Sequence, residues 1–481
     1  MKEKKLGVNA FLNAFRSGLS IIFPLITYPY IFRILHADGI GKVNYSMSIV
    51  NYFTLLAGLG ISTYATREGA KIRKNQRDLG VFVNQVFTIN VLSTCLAYIL
   101  LTVCLMLIPA LKPYRELIII LSTAIGFTTL GIDWINTIFE DYAYIAARSV
   151  VINLLSLIML FVFVRDEKDV FVYAFLTVVT NASICILNWI YCRKYVKIRL
   201  TWKINFIKHI KPTLILFANA VATNIYVNIG VTMLGWIKGD YAVGIYELAA
   251  KIYAVVKRLL ASIYTVAIPR ISFHIGRNDY EQVRKIYTGM FSWMTLLLFP
   301  ASTGLLVLSE EVVLIMGGIE YIEAVRTLQI MCVGLLGAIF GGLFGYCLLI
   351  PLGKENNIVR ATMVSAVVNI VLNALLIPKF GANGAAISTV VSEFVVVICH
   401  LVTFKDINKY LDVKIWLRDA IHSCVGCVSI VLIARLVQKM NLGILANLAL
   451  IFGISLPVYI IELIILKNDK ATNIFYKIIH K

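Results

Sequence analysis

The sequence predicts an all-α polytopic membrane protein with about 14 transmembrane helices. Of its 481 residues, 59% are hydrophobic and only 15% are charged. The apolar residues fall into stretches of about 17 to 30, and a bilayer core of roughly 30 Å needs about 20 helical residues to cross it. Runs such as residues 117–121 do not alternate between apolar and polar side chains, as the strands of a membrane barrel would. The spans are therefore predicted to be helices.

The predicted spans follow one another through short connections. They cover residues 7–35, 43–65, 79–109, 116–138, 148–164, 170–191, 212–235, 243–267, 286–308, 326–350, 358–376, 385–404, 419–438 and 443–466. Such connections leave no room for a soluble catalytic domain, and the sequence shows no Gly-rich nucleotide-binding loop. We therefore expect no enzyme, and a function that is carried out within the membrane.

Basic residues predict the orientation of the chain. The largest clusters, Arg67–Arg77 and Arg193–Lys211, lie in loops on the same predicted side, and such loops are usually cytoplasmic. Both termini are then cytoplasmic. The net charge of +19 reflects this bias and attraction to anionic lipid head groups. Nucleic acid is not an expected partner, because the basic residues lie in short loops without a soluble domain.

A basic loop divides the chain into two predicted bundles. The predicted parts are an N-terminal six-helix bundle (1–192), a cytoplasmic basic linker (193–211), a C-terminal six-helix bundle (212–404), and helices 13 and 14 with a cytoplasmic tail (405–481). A short internal repeat supports the division: Gly41-x-Val43-x-x-Ser46 parallels Gly244-x-Tyr246-x-x-Ala249 at an offset of 203 residues. Two pseudo-symmetric bundles around a central cavity are an arrangement that transporters use.

Polar residues recur at helical spacing on the first two helices of each half. They are Asn9, Asn13, Arg16 and Ser20 in span 1, Asn44, Ser48 and Asn51 in span 2, Asn219, Thr223 and Tyr226 in span 7, and Glu247, Lys251 and Arg258, with Lys257 to one side, in span 8. The equivalent placement of four stripes favours a shared water-filled cavity. The alternative is hydrogen bonding between helices, which Asn, Ser and Thr often supply in membranes.

The charged members of these stripes predict an anion site. Charges inside a membrane are costly and usually face a cavity or a partner. Glu247 is expected to neutralise Lys251 one helical turn away, which leaves Arg16, Lys257 and Arg258 as a positive excess. Guanidinium groups bind phosphate well. We therefore expect Arg16, Lys251 and Arg258 to bind a pyrophosphate, with Lys257 as a secondary contact. The alternative is that Lys257 and Arg258 extend to the membrane surface.

Three acidic residues are candidates for ion coupling. Asp133 and Glu393 are lone acids in spans 4 and 12, and Glu247 lies on the span 8 stripe. Each is a candidate to couple transport to a proton or sodium gradient, and structural hydrogen bonding is the alternative for Asp133 and Glu393. The nine cysteines are scattered without metal-ligand spacing, so the sequence predicts no metal site and no cofactor.

Several short segments resemble those of a known family. They are Gly131-Ile132-Asp133-Trp134-Ile135-Asn136, Glu140-Asp141-Tyr142 with Arg148, Gly41 to Phe53, Arg67-Glu68, Pro269-Arg270, Pro300 with Gly304, Gly318-Ile319-Glu320-Tyr321, and Gly381 to Ala386. In order and placement they resemble the Wzx-type polysaccharide flippases of the multidrug/oligosaccharidyl-lipid/polysaccharide (MOP) exporter superfamily, which also contains the MATE transporters. The Gln-Gly that usually follows Asp-Trp in that family is replaced by Asn136-Thr137.

The resemblance implies a substrate and partners. It implies that the protein moves an undecaprenyl-pyrophosphate-linked oligosaccharide from the inner to the outer leaflet of a bacterial cytoplasmic membrane, for surface polysaccharide synthesis, by alternating access. It also implies a central cavity lined by helices 1, 2, 7 and 8. By analogy, helices 13 and 14 supply a groove for the lipid tail. Expected partners are the lipid-linked oligosaccharide, membrane lipids, the polysaccharide polymerase and other envelope-synthesis proteins.

Three other functions remain open from the sequence. A peptidoglycan-precursor (lipid II) flippase shares the expected cationic cavity, and the two additional helices favour it. A MATE-like multidrug antiporter would carry organic cations and should have a cavity dominated by acids, whereas here bases outnumber Glu247. A scaffold that assembles envelope-synthesis enzymes would need no charges on inward helical faces.

Overall fold

The described residues are helical and contain no strand, which confirms the predicted fold class. The computed structural model describes residues 6–203, 205–404, 407–440 and 442–472, without the side chains of 6–17, 19–21, 207, 219, 226, 265 and 266. The helices are α1 (Leu6–Gly58), α2 (Ile61–Ile72), α3 (Gln76–Leu107), α4 (Arg115–Gly131), α5 (Asp133–Ile138), α6 (Tyr142–Phe163), α7 (Val170–Cys192), α8 (Phe206–Lys238), α9 (Asp240–Ala261), α10 (Tyr264–Gly276), α11 (Tyr280–Val307), α12 (Ser309–Met316), α13 (Ala324–Phe344), α14 (Glu355–Thr403), α15 (Val413–Gln438) and α16 (Ile444–Ile465).

The chain forms two compact units, Met1–Gly244 and Ile245–Lys481. Helix α8 belongs to the first unit because it packs against α1 and α2. The sequence predicts a boundary at residues 193–211 instead, where a basic loop separates six predicted spans from eight and a short repeat supports the division. Contacts between helices define the two units, whereas the basic loop and the repeat define the predicted bundles. The predicted boundary at 193–211 therefore stays a prediction.

Two long helices each contain most of two predicted spans and are kinked between them. Helix α1 contains one non-helical residue, His36 (φ 54°, ψ 176°), and α14 contains another, Gly381 (φ 53°, ψ −128°). Within the described ranges, ten helices are long and apolar enough to cross a membrane, or eleven if a bent pair in α8 counts as one span. Helix α9 is not among them, because charged residues recur along it. The multi-pass architecture is confirmed, and the count of fourteen stays a prediction.

A close crossing of backbones occurs within the first unit. A Cβ atom placed on Gly41 would lie 1.8 Å from the carbonyl oxygen of Asp240, and one on Gly244 would lie 2.0 Å from that of Ala37. Only glycine permits so close an approach. Ala37 and Asp240 are separated by the same 203 residues as Gly41 and Gly244. The contact is therefore reciprocal, because each glycine accommodates a backbone carbonyl of the other segment.

Helix α13 is the packing centre of the second unit. It contacts both α11 and α14, and most of its side chains are buried. A Cβ atom on Gly337 would lie 3.0 Å from the Cβ of Glu393 on α14. Because glycine has no side chain, α13 packs at Gly337 directly against the segment of α14 that carries Glu393.

Candidate functional site: the charged face of α9

The predicted ion pair on α9 is present. Nζ of Lys251 lies 3.1 Å from Oε2 of Glu247. The Glu247 side chain is 9% exposed and that of Lys251 is 34% exposed, so the carboxylate is buried while the ammonium lies near the surface of the unit. Arg258, two turns further along the same face, is exposed. The structure therefore confirms the i,i+4 pairing and places Lys251 and Arg258 on one face.

Lys257 differs from the prediction, because it has a carboxylate partner. Its Nζ lies 2.6 Å from Oε1 of Glu393, and the hydroxyl of Tyr253 donates to the same oxygen at 3.1 Å. The expectation that Lys257 contributes to a positive excess is wrong for this conformation, since Glu393 balances its charge. Sequence spacing could not show this, because the partners lie 136 residues apart.

A second contact continues the same interface. One turn before Glu393, Thr389 lies 3.2 Å from the hydroxyl of Tyr246, and Tyr246 is seven residues before Tyr253. Helix α9 therefore has two polar faces. One face, with Tyr246, Tyr253 and Lys257, packs against α14, and the other carries Glu247, Lys251 and Arg258.

Six predicted residues lie outside the described side chains. They are Arg16 of the predicted pyrophosphate site and the predicted cavity-lining residues Asn9, Asn13, Ser20, Asn219 and Tyr226. Their predicted roles stay predictions.

Ser48 was expected to line a cavity, but it is buried between helices. Its hydroxyl donates to the carbonyl of Tyr45 at 2.7 Å and accepts from the hydroxyl of Thr232 on α8 at 3.0 Å. The hydroxyl of Tyr52 also lies 3.0 Å from that of Thr232. Only 2% of Ser48 is exposed. The prediction is wrong for Ser48 in this conformation, and hydrogen bonding between helices is what its hydroxyl provides.

The remaining members of the first-half stripes are half-buried. The amide of Asn44 donates to the carbonyl of Ile40 in its own helix at 2.9 Å. Asn51 is half-buried as well, whereas Thr223, a member of the span 7 stripe on α8, is exposed. Their role in lining a cavity stays a prediction.

Asp133 forms an ion pair with a buried arginine. Nη2 of Arg148 on α6 lies 2.9 Å from Oδ1 of Asp133, and 2% of the arginine side chain is exposed against 49% of the aspartate side chain. A cation this well buried needs a nearby carboxylate. Asp133 therefore has a structural partner, and its predicted part in ion coupling stays a prediction.

Asn136, the first of the two residues that replace the usual Gln-Gly, supports a break between two helices. Ile132 adopts the left-handed conformation (φ 32°, ψ 35°) and separates α4 from α5. The buried amide of Asn136 donates to Asn188, and Asn188 donates to the carbonyl of Gly131 at this break. Asn136 thus helps to satisfy a carbonyl that helix continuation would otherwise bond.

Glu140 and Asp141, which follow the Asp-Trp pair, stabilise the turn between α5 and α6 through ion pairs and hydrogen bonds. Oε1 of Glu140 lies 2.7 Å from Arg73. Asp141 accepts hydrogen bonds from the hydroxyls of Tyr191 and Tyr195 at 2.6 Å and from Lys194 at 3.2 Å. Burial alone would lower the pKa of Lys194, but its hydrogen bonds outweigh burial and hold the pKa above its ordinary value. The two acidic residues of this motif therefore bond to groups near the ends of α2 and α7.

An apolar groove runs between three helices of the second unit. It has a volume of about 420 Å³ and is lined by Trp293, Leu296, Leu297, Pro300, Ala301, Gly304, Leu308, Ile430, Ile451, Phe452, Ser455, Leu456, Tyr459, Ile460, Leu463 and Ala471. The hydroxyl of Tyr459 donates to the carbonyl of Leu296. The sequence attributed such a groove to helices 13 and 14, here α15 and α16, and missed the contribution of α11.

Chemistry at a metal ion finds no support among the described residues. No group of three or more His, Cys, Asp or Glu side chains there is placed to hold a metal.

Comparisons with known proteins agree with this arrangement. A family model described as "Polysaccharide biosynthesis protein" matches residues 6–273, and the MatE model matches 215–375. The "Putative O-antigen transporter" of Shigella dysenteriae is 25% identical over 393 residues, 81% of this chain and 97% of that protein. The protein of the same description from Escherichia coli K12 is 22% identical over 416 residues, 85% of this chain and 100% of that protein.

A solved structure shares the fold over nearly the whole chain. The structure described as "Lipid II flippase MurJ, inward closed conformation" aligns with a TM-score of 0.73 at 15% identity, covering 98% of this chain and 100% of that one. The matching polysaccharide model covers more than half of the chain. The resemblance seen in the short segments is thereby confirmed, as is the expectation of a multi-pass transporter rather than an enzyme. The chain belongs to the polysaccharide biosynthesis protein family and is a Wzx-type flippase of the MOP exporter superfamily.

Proposed function

We propose that the protein moves an undecaprenyl-diphosphate-linked oligosaccharide from the inner to the outer leaflet of a bacterial cytoplasmic membrane. The observation that carries the proposal is the charged face of α9. Lys251 and Arg258 lie two turns apart on one face and are both accessible, within a helix that buries Tyr246 and Tyr253 on another. Cations held in a membrane protein attract anions, and arginine and lysine both bind phosphate oxygens.

The charges also favour an anionic substrate over an organic cation. A multidrug antiporter would need accessible carboxylates. Here Glu247 and Glu393 are buried, and each lies within 3.1 Å of a lysine ammonium. Neither carboxylate is accessible enough to attract an organic cation, so the charges disfavour the MATE-like alternative.

We assign the lipid tail to the apolar groove between α11, α15 and α16. A polyprenyl chain is apolar and needs an apolar surface, which the groove supplies. Gly304 lines it with open space beside it, since a Cβ there would have no atom within 4 Å. Gly304→Leu should fill the groove and slow transport. Gly289→Leu is the matched control, because it lies on α11 with equally open space but outside the groove lining.

The proposal is tested in a strain that lacks the gene and is complemented with variants. Arg258→Ala, and Lys251→Ala combined with Glu247→Ala so that no buried carboxylate loses its counter-charge, should reduce surface polysaccharide and cause the lipid-linked precursor to accumulate, at normal protein levels. Lys439→Ala, which removes an exposed cation at the end of α15, should not. Normal polymer with altered drug tolerance in the α9 variants would contradict the proposal and favour the antiporter. The orientation with both termini in the cytoplasm belongs to the same proposal, and reporter fusions at each end test it.

A further inference from the structure

An ion pair between a half-exposed lysine and a buried carboxylate joins α9 to α14 within the second unit. Oε1 of Glu393 accepts from both the ammonium of Lys257 and the hydroxyl of Tyr253. The carboxylate side chain is 9% exposed and the lysine side chain is 36% exposed. One partner is thus held inside the protein, while the other reaches a surface where a second anion can approach it.

The packing around Glu393 brings few other titratable groups to it. From α9 these are Tyr253 and Lys257, and from α10 it is Tyr264, which interacts electrostatically with Glu393 and in turn with Cys347 of the segment after α13. Helix α13 presents Gly337 at the contact. Two turns along α14 lies His400. Among these groups, Lys257 is the one that carries a charge at neutral pH.

The pair behaves as a unit because each charge needs the other. Removing one partner of a buried pair leaves an uncompensated charge, which is strongly unfavourable. If Glu393 gains a proton, the ammonium of Lys257 loses its counter-charge and binds another anion more tightly. If an anion takes Lys257, Glu393 becomes easier to protonate. Anion binding and proton binding are then linked by one coupling free energy, equal in both directions.

We propose that Glu393 is a proton-coupling residue that controls whether Lys257 is available to the diphosphate of the substrate. A proton from water binds a carboxylate oxygen of Glu393, and the ion pair with Lys257 breaks. Lys257 keeps its own proton and charge and contacts a phosphate oxygen beside Arg258. This inference rests on the proposed function, since it concerns the same substrate. Lys257 then alternates between two partners, Glu393 and the diphosphate, whereas the sequence predicted only the diphosphate.

The experiment measures binding of undecaprenyl-diphospho-N-acetylglucosamine to the purified full-length protein at constant ionic strength, from mildly alkaline pH down to about pH 4, where ordinary carboxylates titrate. Both phosphates of this probe are esterified or bridged, so its charge is constant and pH acts on the protein. Binding by the wild-type protein should tighten about tenfold as the pH falls, because one coupling free energy links proton binding to anion binding. Glu393→Gln should bind at alkaline pH as tightly as the wild-type protein does at acidic pH, with no remaining dependence.

Two further variants keep the test decisive. Glu311→Gln removes a comparably buried carboxylate that bonds to Gln438 instead of a cation, and it should keep the wild-type pH dependence. Lys257→Gln should bind weakly and without pH dependence, and it supplies the test if Glu393→Gln does not fold. A wild-type pH dependence in Glu393→Gln or Lys257→Gln would overturn the inference, and so would a dependence on sodium in place of protons. Absence of binding by the wild-type protein at every pH would instead overturn the proposed function.

Discussion

The two repeats place different chemistry at equivalent helix positions. At the offset of 203 residues, Asn44, Ser48 and Thr54 correspond to Glu247, Lys251 and Lys257. The three neutral side chains bond to carbonyls of their own helix, at 2.9, 2.7 and 3.0 Å. Their charged counterparts form ion pairs at 3.1 Å within α9 and 2.6 Å to α14.

This difference supports the proposal that the second repeat binds the ligand. A hydroxyl or amide that already bonds to a carbonyl of its own helix gains little free energy by exchanging that carbonyl for a ligand. An ammonium in an ion pair exchanges one anion for another at a modest net cost, because the charge is compensated before and after. We therefore assign anion binding and coupling to the second repeat, and interhelical packing to the described part of the first.

Among substitutions that compare the two repeats, the largest effect should come from giving α9 the residues of its counterpart. The double variant Glu247→Asn with Lys251→Ser removes an ion pair as a unit, so stability should change little. Transport should fall by about tenfold to a hundredfold, because one charge-assisted contact to phosphate is lost. Translocation of the lipid-linked oligosaccharide in proteoliposomes measures this. Wild-type transport by this variant would contradict the assignment.

Breaking the second ion pair on one side should destabilise the protein. Glu393→Ala leaves Lys257 without its counter-charge and should lower the free energy of unfolding by about 2 kcal/mol, below the full cost for a buried pair because Lys257 stays partly solvated. Thr54→Ala, at the position equivalent to Lys257, should change it by less than about 0.5 kcal/mol. Denaturant unfolding of the solubilised protein compares the two. Equal effects would show that the repeats do not differ in this respect.

The glycine crossing gives a packing test in the first unit. Gly41→Ala forces a methyl group onto the carbonyl of Asp240 and should cost about 1 to 3 kcal/mol, as overpacking does. Gly289→Ala on α11 has open space and should be neutral or stabilising by up to about 1 kcal/mol. Thermal unfolding distinguishes them. If Gly41→Ala is as stable as Gly289→Ala, the backbones do not approach as closely as described.

The smallest effect is expected for the hydroxyl between α1 and α8. Ser48→Ala removes its hydrogen bond with Thr232 and should destabilise the protein by about 0.6 kcal/mol, a typical value for such bonds in membrane proteins. Transport should be unchanged, since the hydroxyl is buried. A transport defect at normal stability would restore the cavity-lining role that the sequence suggested for Ser48.

Much of the fold followed from the sequence, because length and apolarity alone define membrane helices. The predicted span 358–376 lies within α14, and 43–65 covers the end of α1 and the start of α2. Both α1 and α14 are kinked at a single non-helical residue. The pairing of Glu247 with Lys251 was also predictable, because helix geometry fixes the neighbour at i+4.

Tertiary pairings could not be predicted in this way. The contact between Lys257 and Glu393, and the bond between Ser48 and Thr232, join helices distant in sequence, and helical periodicity gives a face but not the neighbour it meets. The reciprocal crossing at Gly41 and Gly244 did leave a signal, the repeat at 203 residues. That signal indicated equivalence between the two sites and not their contact.

The central claim is that cations on α9 hold the diphosphate, and reversing one charge tests it most directly. Translocation of undecaprenyl-diphospho-N-acetylglucosamine is measured in proteoliposomes that contain the wild-type protein, Arg258→Lys or Arg258→Glu. We predict that Arg258→Lys retains part of the activity, because a point charge remains, and that Arg258→Glu abolishes it. Wild-type translocation by a folded Arg258→Glu variant would contradict the account.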